Sequence, residues 1–386
     1  MTDSGPEGAP TVGVEEEFLL VHPGTRRPEA AGDRVVARAG AAVDGLLSGE
    51  FTAYQIEGRT PPCSRIDRLR AELARVRAAA VGAARAEGLG LCASGTPVVG
   101  DAEPPEIGDH PRYRAGVRQY RAMLDDYTIC AFHAHVGLPD RELAVLTGNH
   151  LRPWLPLLVA LTANSPYHRS RDTGYASWRS VIRIRFPCLG PPPYATSLAH
   201  HERLAAAMAD TEAMLDAATP FWDIRPNPRL PTLEVRAMDV LPDIDDTAAV
   251  TALIRALVMT SAARVERGDP GPRPESELLR AAYWRAARDG WSGTGVDALS
   301  GRVMPVAEQA GRLVAEVRPA LEEYGDMARV AAFLRRAAVR GGGAERQRAV
   351  ASRQAAGAGS DDWPGRVVDA LVADTAAGTR GDDTRP

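Results

Sequence analysis

An α+β fold with a largely antiparallel sheet is predicted by three features of the 386-residue chain. Over residues 1–240, short β-type runs alternate with helical ones, several at spacings a hairpin can span, so an antiparallel sheet fits better than a parallel one. From about 245 to 375 only helical patterns follow. No repeat recurs at the periods of solenoids. The expected division is a sheet/helix core at 11–240, a helical part at 245–375 packed on it, and disordered ends at 1–10 and 376–386.

Residues 12–21, VGVEEEFLLV, are the first strand. A mixed helical stretch near 33–48 leads to a second strand at 51–58. Residues 62–87 are helical, because Ile66, Leu69, Leu73, Val76 and Ala80 recur at spacings of three and four and prolines precede them. A short strand at 89–94 ends in SGTP, and a Pro/Asp/Glu-rich loop fills 95–110. Helix 111–126 precedes strand 128–138. Helix 140–163 precedes a loop at 164–178, a strand SVIRIRF at 180–186 and the proline-rich break PCLGPPP. A helix over 196–218 and strands near 221–225 and 232–239 complete the core.

Apolar residues are 45% and charged residues 25%, ordinary for a globular chain able to bury a large core. A formal charge of −4 argues against a nucleic-acid partner, which usually meets a basic excess. All 46 basic residues are arginine, so neither a Schiff-base lysine nor a P-loop lysine exists. The four cysteines form no CxxC pair and read as small buried residues. The apolar run at 151–163 is broken by Arg152, Pro153 and Pro156 and is too short to cross a bilayer. The N-terminus lacks a basic-then-apolar signal pattern, so no membrane partner and a cytoplasmic location are expected.

Chemistry concentrates where strands should be bland. Side chains alternate faces along a strand. Glu15 and Glu17 therefore share one face of the first strand, with Glu16 on the apolar side, where an arginine could pair with it. Gln55 and Glu57 share a face of the second, His133 and His135 of the third, and Glu234 and Arg236 of the last. Arg183 and Arg185, two apart in SVIRIRF, add cationic character. Carboxylates with an imidazole suit Mg²⁺ or Mn²⁺, and arginine forks suit phosphate and carboxylate. Such a face can hold divalent metals and a polyphosphate. HxH alone is also compatible with a zinc hydrolase, which would turn over without ATP.

The segments GVEEEFLLV (13–21), HAHVGLPDRE (133–142), NSPY with RDTGYASWRSV (164–181) and WDIRPNPRLPTLEVR (222–236) resemble the type-2 glutamate–cysteine ligase family, also called carboxylate–amine ligases. That family is similar to glutamine synthetase in its catalytic sheet. The resemblance implies a curved antiparallel sheet forming an active-site funnel, flanked by helices. It implies Glu15, Glu17, Glu57, His133 and Glu234 as metal ligands, with His133 and Glu234 nearest the ATP phosphates. Arg236 would contact the transferred phosphoryl group or glutamate, and Arg171 and Tyr175 match a substrate-binding segment. Arg225 and Trp222 would lie near the amine end, and Arg183 and Arg185 would meet the nucleotide. ATP and Mg²⁺ (or Mn²⁺) are the implied cofactors, and glutamate and an amine the small-molecule partners. Homodimers are common in the resembling family.

The activity implied is ATP-dependent joining of glutamate to the amine of cysteine or a non-proteinogenic amino acid, through an acyl phosphate. The sequence departs from the family at PCLGPPP, beside Cys188, where the acceptor pocket could be reshaped. A catalytically silent homologue that only binds nucleotide or amino acid is the alternative, against which the complete ligand set argues.

Overall fold

The computed structural model describes residues 9–43, 45–100, 104–353 and 362–379. Along the chain run β1 (Val12–Val21), α1 (Gly32–Ala39), β2 (Leu47–Gly49), β3 (Gln55–Arg59), α2 (Ile66–Ala86), β4 (Gly90–Cys92), α3 (Pro111–Tyr120) and β5 (Ala131–Gly137). Next come α4 (Arg141–Leu151), α5 (Leu155–Thr162), β6 (Tyr167–His168), β7 (Arg171–Asp172), α6 (Trp178–Arg183), α7 (Leu198–Asp210), β8 (Ile224–Pro226) and β9 (Thr232–Asp239). The remainder is α8 (Ile244–Glu266), α9 (Ser276–Asp289), β10 (Thr294–Val296), β11 (Val303–Pro305), α10 (Val306–Glu323), α11 (Met327–Arg340), α12 (Gly343–Ser352) and α13 (Trp363–Ala377).

A seven-stranded sheet runs β2-β3-β1-β5-β9-β8, with β4 pairing the far end of β1. Every pairing is antiparallel. Alternation sets its two faces. Val12, Val14, Phe132, Ala134, Val136, Leu233 and Val235 face a buried core shared with Leu69 and Leu73 of α2 and most of α8. That core continues through α9, α10 and α11 to Ala337, so these helices share the core behind the sheet. Helix α8 is long and apolar enough to cross a bilayer by composition alone, but here it is the central helix behind the sheet. Glu16, on the core face, is buried against the equally buried Arg77 of α2, the pairing its position called for.

Several boundaries differ from the sequence expectation. The stretch at 180–186 is not a strand. Ser177 caps a helix there, its hydroxyl accepting from the Ser180 amide, and residues 178–183 follow a helical period. The C-terminal part also contains the β10–β11 hairpin, whose three-residue strands are too short to show alternation. The expected disordered ends fall largely outside the described residues, although 376 and 377 belong to α13.

Trp222 and His201 sit in a satellite core with Phe186, Cys188 and Met214, their rings 5.1 Å apart. His201 is buried, and burial depresses its pKa to about 4. Its neutral form is the folded one. The associated stability is complete above the unfolded value near 6.5 and is lost as pH falls toward 4. His201→Phe should accordingly flatten the decline in urea stability between pH 6.5 and 4; an unchanged slope would show that His201 does not carry it.

Candidate active site

Cross-strand register brings the charged residues of the other sheet face together. Glu17 lies opposite Glu57, Glu15 opposite His133, His135 opposite Glu234, and Arg225 opposite Glu234. A register shift between Phe132 and Ala134 interrupts the β5–β9 ladder at His133, and such bulges commonly re-aim a side chain. His133 Nδ1 stands 3.0 Å from Glu15 and 3.9 Å from Glu234. Its Nε2 stands 3.6 Å from Glu17.

Two donor groups result. Glu15, His133 and Glu234 form one, and Glu17, Glu50 and Glu57 the other, each with ligand atoms within 4.8 Å of one another. Their electrostatics differ. Burial raises the Glu15 carboxyl, but His133 and His135 outweigh it and hold the pKa well below the carboxylate range. Glu234 is likewise raised by burial and lowered further by Arg236 and Arg225. His133 is pushed down to about 3 by burial and by Arg236. This first group thus offers ionised carboxylates beside a neutral imidazole. In the second group, burial lifts all three carboxyls, and like charge adds to it at Glu50, which rises to about 8, and at Glu57. A divalent cation is the natural relief for three crowded oxygens. The donor chemistry, oxygen-rich with one nitrogen, fits Mg²⁺ or Mn²⁺.

Arginines surround both groups. Arg225 Nε donates to Glu234 at 2.9 Å, and Arg236 pairs with the same carboxylate. The Arg236 Nε is buried without a partner. Arg179 and Arg183 are four apart on α6 and both reach the site. Arg179 donates to the carbonyls of Ala237 and Arg236, tying α6 to β9, and Arg183 pairs with Asp223 at 2.6 Å. Glu15, Glu17, Glu50, Glu57, His133, Arg179, Arg183, Arg225 and Arg236 all line one cavity of about 490 Å³.

Every expected metal ligand is therefore in one place, together with Arg183, Arg225 and Arg236. Four expected site residues are elsewhere. Arg185 lies beyond the end of α6, off the helix that carries Arg179 and Arg183, and pairs with Asp126 at 2.5 Å. Arg171 is exposed in the small β6–β7 hairpin. Tyr175 packs on Trp178, and its hydroxyl accepts from Trp284 Nε1 at 3.1 Å. Trp222 belongs to the satellite core. Two site residues were not anticipated. Glu50 follows β2 and lies outside any alternating run, and Arg179 is legible only once 178–183 is read as a helix.

The model of glutamate–cysteine ligase family 2 matches residues 11–369. A Salinispora arenicola protein, provisionally named glutamate–cysteine ligase 2, is 43% identical over 92% of this chain and 93% of its own. A Saccharopolyspora erythraea protein, provisionally named glutamate–cysteine ligase 2-1, is 42% identical over 89% and 90%. Among solved structures, a Francisella tularensis glutamate–cysteine ligase in complex with AMP superposes at a TM-score of 0.69 with 12% identity, covering 96% of this chain and 89% of that one. A bifunctional glutathione synthetase from Pasteurella multocida gives 0.63 with 16% identity over 96% of this chain and 52% of that one. At such identities the structures share the fold, the helix-flanked antiparallel sheet of glutamine synthetase-like ligases. With family and sheet in agreement over nearly the whole chain, the protein belongs to glutamate–cysteine ligase family 2 and is an ATP-dependent ligase of that kind.

Proposed function

We propose that the chain joins the γ-carboxylate of glutamate to the amine of an amino acid, cysteine or a non-proteinogenic one, through an acyl phosphate. The observation that carries this reading is the pair of donor groups beside an arginine cluster at a single cavity. A carboxylate and a triphosphate repel, and their reaction needs positive charge placed beforehand. A carboxylate oxygen attacks the γ-phosphorus, and the bond to ADP breaks. The amine nitrogen then attacks the acyl carbon, phosphate leaves with the electron pair, and the amine gives up a proton. Arg236 and Arg179 border the reacting centre and supply fixed positive charge to the transferred phosphoryl group; Arg225 and Arg183 hold Glu234 and Asp223 in place. Glu15, His133 and Glu234 would hold one Mg²⁺ or Mn²⁺, and Glu17, Glu50 and Glu57 another. Bound there, the ions would neutralise phosphate charge and polarise the phosphoryl oxygens. The chemistry needs no protein nucleophile. A reducing cytoplasm suits it.

ADP release with ATP, Mg²⁺ and glutamate, measured against a panel of amines with mass detection, tests the reading. A product equal to glutamate plus amine minus water supports it, and no turnover with any amine defeats it. The placement of the outlying arginines makes a second prediction. Arg171→Ala and Arg185→Ala should leave the KM of ATP and of glutamate within about twofold, as for exposed charges outside the cavity. A tenfold rise for Arg171→Ala would return the RDTGY segment to the site.

A further inference from the structure

Part of the cavity wall has a different chemistry. It is a chain of rings meeting edge to face: Tyr113 and Phe51 at 5.4 Å, Phe51 and Tyr127 at 5.7 Å, Tyr127 and Phe186 at 5.0 Å, Phe186 and Tyr120 at 5.3 Å. All five rings line the cavity. Phe51 directly follows Glu50, so the ring wall begins where the Glu17, Glu50 and Glu57 group ends. Two polar groups on this wall are already engaged. Arg112 pairs with Asp216 and donates to the Thr219 hydroxyl. The Tyr120 hydroxyl lies 3.4 Å from both Cys188 Sγ and the Ala213 carbonyl. The wall can enclose or stack on an apolar group, but neither Arg112 nor Tyr120 is free to read the hydrogen-bonding edge of a nucleobase.

We infer that this chamber holds the side chain of the acceptor, and that the preferred acceptor is an amino acid with an aromatic or large aliphatic side chain rather than cysteine. The inference rests on the ligase reading above. The acceptor's amine would lie toward the Glu50 end, beside the acyl phosphate. Its side chain would then run along the rings. The one-carbon thiol of cysteine would leave most of that wall facing water, whereas a benzyl or isobutyl group covers it. In an apolar pocket each methylene of contact changes kcat/KM by roughly tenfold or more. Cys188, within the PCLGPPP segment, stands in this wall.

The test measures ADP release with ATP, Mg²⁺ and glutamate at matched concentrations of cysteine, alanine, leucine and phenylalanine, with products identified by mass. Phenylalanine or leucine should exceed cysteine in kcat/KM by at least about tenfold. A preference for cysteine or alanine overturns the inference while leaving the ligase reading intact. No ADP release with any acceptor is the failure of the ligase reading itself, and the inference falls with it. Phe186→Leu and Tyr120→Ala, each first verified as folded by its thermal midpoint, should raise the KM of the large acceptor about tenfold and leave the KM of ATP unchanged. A rise in the KM of ATP with the acceptor KM unmoved would put the nucleobase in the chamber and overturn the assignment.

Discussion

Glu15→Gln is expected to stop ADP formation, by about 10³-fold, while the chain stays folded. The position separates charge from packing. Glu15 faces the cavity from β1 with its side chain 20% exposed, and its contacts are the two imidazoles across the β1–β5 pair. Glutamine keeps the shape and can still hydrogen-bond His133. It removes one anionic oxygen from the group that would hold the ion, and it removes one of the two carboxylates that oppose the depression of His133. Glu234→Gln should lose as much activity, but it is a poorer probe. Glu234 compensates both Arg225 and Arg236, and neutralising it leaves two buried guanidiniums without their counter-charge. Steady-state ADP release across a Mg²⁺ titration decides the matter for Glu15. Turnover within tenfold of the unmodified protein at ordinary Mg²⁺ would remove Glu15 from the ligand set.

How much of this site could be read beforehand depended on local period. β1, β5 and β9 are long enough for alternation to show, and there the reading of faces holds at Glu15, Glu17, His133 and Glu234. The same rule applied to SVIRIRF failed because it counted by two where the backbone turns by 3.6. It kept Arg183, picked Arg185 and passed over Arg179, since residues four apart share a helical face and residues two apart do not. The helix start had a signal, Ser177 three residues before Ser180, but in a stretch rich in β-branched residues the strand pattern outweighed it. Glu50 gave no signal of any kind. It lies just past the three-residue β2, and only pairing of that strand with β3 brings it beside Glu57. His201 carries a different lesson, since a histidine next to another histidine on a polar-looking helix is buried against Trp222, which arrives from elsewhere in the chain.

The largest expected effect on stability lies on the opposite side of the same strand. Glu16, between Glu15 and Glu17, meets Arg77 of α2 with both side chains essentially inaccessible. The Arg77 Nη2 also donates to the Leu241 carbonyl at 3.1 Å, its Nη1 to the Pro242 carbonyl, and its guanidinium lies 5.2 Å from the Phe18 ring. Thr247 at the start of α8 donates to Glu16 at 3.1 Å. One buried pair thus ties β1 to α2 and to the entry of α8. Arg77→Met would fill much of the volume but strand the Glu16 carboxylate and two carbonyls, a loss of about 3–5 kcal/mol in urea unfolding. Adding Glu16→Leu should recover a substantial part of it, because an apolar pair of similar volume avoids the buried charge altogether. A single-variant loss below about 1 kcal/mol would mean that water reaches this pair. A double variant no better than the single would mean that the carbonyls of Leu241 and Pro242, rather than the Glu16 charge, are what Arg77 is there to satisfy.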